Sequence, residues 1–281
     1  MDDTSIIITG QNGAAFLNEL HTSFNYTVNW FQTNFLFLNI SKTHFIHFTS
    51  KDANHHISNI SYEDNGITTV SEIKFLGINI NNTVSWTLHV EKILPKLSSA
   101  CFAMKSIKSF ESVKMLKIIY FSYFHSIMSY GIIFWGNSSA SVKAFRIQKR
   151  IIRTMMGSKN RDSCRPLFKS LGILPLPSMY IFALLRFVTQ NRDHFVTNSE
   201  FHNINTQQQQ YYLYLPLPNL KKYQTGVFYM GIKLFNGLPD FIKKEFSNQK
   251  KFLLVVKNFL CVNSLYSLDE FYKFLQQNVN I

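Results

Sequence analysis

Residues 73–92 read IKFLGININNTVSWTLHVEK, and the fold class is decided where this stretch changes character. Ile73 to Ile80 is rich in β-branched residues and continues the sheet, and the bland reading of it is a plain strand with Gly77 at a bulge. Asn81-Asn82-Thr83 ends it as a cluster of turn formers. From about His89 apolar residues recur at helical intervals, and this period persists to Gly157. Leu94-Pro95 is expected near a helix start, where a proline is tolerated. A sheet-forming region to about residue 86 thus gives way to helices, so the expected fold class is α+β.

Working outward, Asp3 to Gly10 reads DTSIIITG, the composition of a buried strand. Gln11-Asn12-Gly13 signals a turn. Phe16, Leu20, Phe24, Val28 and Phe31 then recur at helical spacing, which predicts a helix over 14–34. The segment HFIHF at 44–48 predicts another strand, and 56–60 alternates weakly. Glu63-Asp64-Asn65-Gly66 predicts a hairpin turn, because Asn-Gly tolerates positive φ. Downstream, Leu171 to Pro177 is a proline-punctuated connector and Met179 to Arg192 a helix. Asn198 to Gln210 is a polar loop ending in four glutamines. The regions are 1–86, 87–165 and 166–281, the last mostly helical.

Charge narrows the partners. Lys and Arg number 29 against 16 Asp and Glu, a formal charge of +13. The natural partner is a polyanion, either nucleic acid or an anionic membrane surface. Between Glu91 and Arg165 fourteen Lys and Arg oppose three acids, Glu91, Glu111 and Asp162, so region 87–165 holds most of the excess. The three cysteines form no C-x-x-C pair, which leaves a zinc knuckle unsupported and suits a reducing intracellular compartment, nucleus or cytoplasm. Ile118 to Val142 carries no Asp, Glu, Lys or Arg and approaches the length of a membrane span. Its Ser122, His125, Ser126 and Ser129, with dense flanking lysines, favour a buried core helix, so no membrane is expected.

Three constellations could carry chemistry. Asp2-Asp3 precedes the first strand, and paired carboxylates there need a cation such as Mg2+, whose hard-oxygen chemistry serves phosphoryl transfer. The bland alternative is an ordinary acidic terminus. Arg146, Lys149, Arg150 and Arg153 share one helical face, with Ala144, Ile147, Ile151 and Met155 opposite. Such a helix suits a nucleic-acid backbone, and a solvated surface is the alternative. Tyr120, Phe121, Tyr123, Phe124, Tyr130, Phe134 and Trp135 crowd one segment, where packing is favoured over base stacking because interleaved charge is missing. Fingerprints of nucleotide-binding loops, serine hydrolases and zinc proteases are absent.

Taken in order, DDTSIII at 2–8, WFQTNFLFLNISKT at 30–43, FLGINI at 75–80, SIMSYG at 126–131 with Trp135-Gly136, IQKRIIR at 147–153 and GIKLFNGLP at 231–239 resemble the reverse transcriptases of jockey-like non-LTR retrotransposons. The resemblance implies a partial polymerase palm sheet over 1–86, a basic thumb-like region over 87–165 and the region that follows the thumb over 166–281. It implies Asp2 and Asp3 as catalytic carboxylates binding Mg2+, and Lys42 as the palm lysine that protonates the leaving pyrophosphate. It implies that Phe75 and Gly77 lie in the hairpin gripping the primer end, and that Arg146, Lys149, Arg150 and Arg153 follow the template–primer backbone. RNA template and DNA primer are the implied partners. In the family the catalytic box is preceded by an aromatic residue and Ala, and a further Asp and the fingers lie earlier. Met1 stands where the Ala would be, so this chain is expected to be truncated and inactive alone. The alternatives are a non-catalytic nucleic-acid-binding protein and a membrane-associated orphan.

Overall fold

The computed structural model of the protein describes residues 4–10, 13–48, 61–62, 65–202 and 212–278. The chain forms two compact units, 1–85 and 86–281. The class is α+β: helices dominate, and among the described residues the short paired strands lie in the first unit.

In unit 1–85, helix α1 spans Gly13–Thr33 and buries Leu20, Val28 and Phe31, as its helical apolar spacing dictates. Leu20 packs with Ile67, joined by the partly buried Ile8, Phe16, Leu17, Phe24 and Phe45. The strands are β1 (His44–Phe45), β2 (Ser61–Tyr62), β3 (Asn65–Gly66), β4 (Thr68–Thr69), β5 (Glu72–Phe75) and β6 (Ile78–Asn81). They make three two-stranded pairs: β1 parallel to β4, β2 antiparallel to β3, and β5 antiparallel to β6.

Three expectations for this unit change. Residues 4–10 form no strand, because no neighbouring strand among the described residues offers them a ladder. Ile7 is accordingly 91% exposed. Tyr62 pairs with Asn65, which puts Asn65-Gly66 in a strand rather than at the turn. Ile73 to Ile80 is a hairpin rather than one strand: Phe75 pairs with Ile78, and Leu76 (φ 45°) and Gly77 (φ 82°) make the two-residue turn. Positive φ at both positions matches the right-handed twist of the flanking strands, so Gly77 is a turn residue and not a bulge.

Unit 86–281 is helical. Helix α2 spans Thr87–Ile107 and carries Pro95 well inside it, rather than at its start. The charge-free stretch then breaks into α3 (Val113–Ile119), a π-helical turn at Tyr120–His125, α4 (Ser126–Ser129) and α5 (Ile132–Trp135). Helix α6 is Ser141–Met156 and α7 is Arg165–Leu171. Helix α8 (Leu176–Gln190) takes Leu176 and Pro177 from the expected connector into its first turn, where proline lacks no needed bond. Asn198–His202, expected in a loop, forms the short helix α9. The remainder is α10 (Lys221–Gln224), α11 (Val227–Asn236), α12 (Asp240–Lys243), α13 (Gln249–Asn263) and α14 (Leu268–Asn278).

One core runs through this unit, with Trp135, Tyr120, Phe124, Phe168, Phe235 and Phe271 fully buried. The sequence division at 165/166 falls inside it. No single helix among the described residues is long and apolar enough to cross a membrane. Two helix pairs reach that length only together, bent by 49° and 97°.

Several of the sequence motifs have structural roles here. Gly131 adopts φ 61°, and the indole Nε1 of Trp135 donates to the Tyr130 carbonyl at 3.0 Å. A Cβ on Gly136 would lie 2.7 Å from both the Ile132 carbonyl oxygen and the Tyr180 ring, so only glycine lets α5 meet α8 this closely. Asn236 holds the backbone of Leu213 with two hydrogen bonds, each 2.8 Å long.

Candidate nucleic-acid interface

Helix α6 is divided by its sequence into an apolar and a cationic face. Ala144, Ile147, Ile151 and Met155 are buried in the core, which fixes the rotation of the helix. Arg146 and Arg150 are thereby exposed, and Lys149 and Arg153 half-buried at the margin of the same face. The helix stops at Gly157, whose φ of 68° gives a left-handed cap. Ser158 N–H then bonds the Arg153 carbonyl at 3.0 Å, closing the last turn.

The four cations are not equivalent. Lys149 Nζ lies 4.8 Å from the Phe145 ring centre and 5.8 Å from that of Tyr266, a cation–π arrangement that anchors it to the surface. Arg153 Nε donates to the Asp162 carbonyl at 2.9 Å, and Asp162 in turn accepts from Lys159 N–H at 2.7 Å. These two side chains therefore tie α6 to its surroundings. Arg146 and Arg150 project furthest into solvent and are the pair best able to reach an external phosphate.

Sequence reading missed a contribution from α2. Glu91 meets Lys143 at 3.5 Å near the helix starts. A Cβ on Gly157 would lie 3.0 Å from Lys108 Nζ at the helix ends. The two helices therefore run parallel, and their negative dipole ends sit side by side. Lys108 places its ammonium against the carbonyl end of α6 and offsets this. Midway, burial pushes the Cys101 thiol up in pKa, while Arg150 and Lys105 pull in the opposite direction. Packing of α2 against α6 thus brings the charges of Lys105 and Arg150 to bear on one buried thiol. That pairing depends on helix packing, and the only signal in the sequence was the shared basic composition.

The other predicted residues fall elsewhere. Asp2 and Asp3 lie outside the described residues. Lys42 is exposed in a 3-10 turn, Ile40–Lys42, capped by the Asn39 side chain. Among the described residues no three His, Cys, Asp or Glu side chains gather as a metal site. Phe75, 38% exposed, and Gly77 sit at the β5–β6 hairpin, whose tip residue Leu76 is 68% exposed. The hairpin belongs to unit 1–85 and the basic helix to unit 86–281.

The aromatic segment divides. Tyr120, Phe124 and Trp135 are wholly buried, while Phe121, Tyr123, Tyr130 and Phe134 remain between 41% and 53% exposed. Burial raises the Tyr120 hydroxyl pKa well above the ordinary tyrosine range, against a hydrogen bond from Gln148. Compared with known protein families, curated proteins and solved structures, the chain shows no match.

Proposed function

We propose that the chain binds nucleic acid through the cationic face of α6, and that it comprises the end of the palm, the thumb and the following region of a non-LTR retrotransposon RNA-directed DNA polymerase. The observation that carries the binding is the α6 face: Arg146 and Arg150 exposed together while Ala144, Ile147, Ile151 and Met155 are buried opposite. The polymerase reading rests on the ordered motifs in the sequence. Its RNA template and DNA primer are proposed partners, and Asp2, Asp3, Lys42 and Mg2+ are the proposed catalytic set.

Binding of this kind is driven by counterion release, so affinity falls steeply with salt. Fluorescence anisotropy of labelled single-stranded RNA across a salt series should give a steep log–log slope. Replacing Arg146 and Arg150 with Ala should reduce that slope by about 1.4, at roughly 0.7 for each single-strand phosphate that is no longer neutralised. A slope unchanged in the double variant would remove the α6 face from the reading. In a primer-extension assay with Mg2+ and dNTPs, templated incorporation that Asp2→Ala with Asp3→Ala abolishes would support the catalytic set, and incorporation that survives the two substitutions would remove Asp2 and Asp3 from it.

A further inference from the structure

Past Gly157 the chain leaves α6 through a short turn that carries two more cations. The Asp162 N–H bonds the Lys159 carbonyl at 3.1 Å, and the Asp162 carboxylate accepts from the Lys159 N–H at 2.7 Å. The turn is thus locked from both sides, as an aspartate can do through its short side chain. Arg153 Nε donates to the Asp162 carbonyl at 2.9 Å, which fastens the turn to the end of α6. Lys159, Asn160 and Arg161 at its tip are exposed. Neither Lys159 nor Arg161 forms an ion pair among the described residues. Lys108, which ends α2, brings its ammonium to the same place: a Cβ on Gly157 would lie 3.0 Å from its Nζ. Lys108, Arg153, Lys159 and Arg161 therefore gather at this end of α6 with one carboxylate, Asp162, which is already occupied by a backbone N–H.

The fold makes no use of the charges on Lys159 and Arg161. Like charges gathered without partners repel one another, and an anion set among them removes that cost. The size of the anion follows from the placement. Arg150 lies about one helical turn before Arg153, and Arg146 about one turn before Arg150. From Arg146 to Gly157 the helix rises about 16 Å. Successive phosphates of one duplex strand lie about 3.4 Å apart along the axis, so this length spans several of them. A polymer backbone can engage both ends of such a row, whereas a single phosphate ion reaches one.

We propose that the Lys159–Asp162 turn, with Lys108 beside it, grips further phosphates of the strand that crosses the α6 face, and that Arg153 is a positioning residue that holds the turn in place. This rests on the basic-face reading above and extends it. The site becomes a track from Arg146 to Arg161, and its ligand a phosphodiester chain read without regard to sequence.

The test uses the full chain and a labelled oligouridine titrated across a salt series. Lys159→Ala with Arg161→Ala should weaken binding and lower the log–log salt slope by about 1.4, at roughly 0.7 for each phosphate no longer neutralised. Asp162→Asn keeps the side-chain oxygen that accepts from Lys159 and removes the negative charge, so it should tighten binding about twofold. A turn that serves only the fold would show no such gain. Arg153→Ala should weaken binding in the otherwise native chain and add nothing once Lys159 and Arg161 are alanine, because it acts through them; a further loss there would end its positioning role. Lys159, Arg161 and Asp162 are exposed, so their variants keep the fold, and matching melting curves verify it. A slope unchanged in the Lys159 and Arg161 variant, but lowered by Arg146→Ala with Arg150→Ala, overturns the role of the turn and leaves the basic face standing. Unchanged slopes in both variants, or native protein that does not bind the probe, overturn both.

Discussion

Gln148 shows how one residue can belong to a surface motif and serve the interior. It sits between the cations of α6, yet it is fully buried. Its amide Nε2 donates to the Tyr120 hydroxyl at 3.0 Å and to the Leu174 carbonyl at 2.9 Å. Its Oε1 accepts from the Leu176 N–H at 2.8 Å. The side chain thereby joins α6, the π-helical turn and the start of α8. A buried polar group left without its partner costs about 1–3 kcal/mol. Gln148→Leu strands the Leu176 N–H and the Leu174 carbonyl together, so we expect a loss of about 2–4 kcal/mol in urea unfolding. A loss below about 1 kcal/mol would mean that these groups find other partners. The helical period already puts Gln148 on the apolar face, four residues after Ala144 and three before Ile151, but its partners Tyr120, Leu174 and Leu176 are not legible in the sequence. The apolar residues of that motif are legible, since a 3.6-residue period reports burial directly.

At the scale of elements, the helices declare themselves and their ends do not. Helix α1 and the buried face of α6 follow from apolar spacing. The α2 start is hidden because Pro95 looks like a boundary, whereas the helix runs through it. The β5–β6 turn is hidden because Leu76 is a poor residue for positive φ, so only Gly77 signals it. The candidate site is half legible: Arg146, Lys149, Arg150 and Arg153 do share a face, but their division into anchors and free cations requires Tyr266 and Asp162, which are distant or out of register in sequence. Long-range ties of this kind also hold α7 to α14. Arg165 Nη2 meets Glu270 Oε1 at 3.0 Å, and the Tyr266 N–H donates to the same carboxylate at 2.9 Å. Partial burial works to raise the Glu270 pKa, but the hydrogen bonds from Arg165 and Tyr266 and the Arg165 charge outweigh it and hold it below the usual glutamate value. A carboxylate lowered in the folded state stabilises above its unfolded pKa and loses that contribution as pH falls through its folded one. The melting temperature should therefore drop below the ordinary glutamate range, and Glu270→Gln should drop less between neutral and acid pH. An equal drop in both proteins would show that the pair contributes no pH dependence.

For the whole molecule, the two units differ in how much they bury and how much strain they carry. In unit 86–281 aromatic and aliphatic side chains from α2 to α14 share one continuous core. Among the described residues of unit 1–85 the core cluster holds only Leu20 and Ile67 as buried members, while Phe35 and Phe37 stand 93% and 96% exposed. Strain is distributed in the opposite sense. Phe35, Leu76 and Val84 adopt positive φ in the first unit, against Ser264 alone among non-glycine residues described in the second. Each costs roughly 1–2 kcal/mol relative to an ordinary conformation. Less burial and more strain place unit 1–85 at the low end of local stability. Native-state hydrogen exchange reads this directly. Amides of α8, which carries the fully buried Ile181, Leu184 and Leu185, should exchange only through global unfolding. Amides in the middle of α1 should exchange through an earlier, sub-global opening, at least about tenfold faster. Equal protection of the two helices, moving together as urea is added, would show that unit 1–85 opens only when the rest of the chain does.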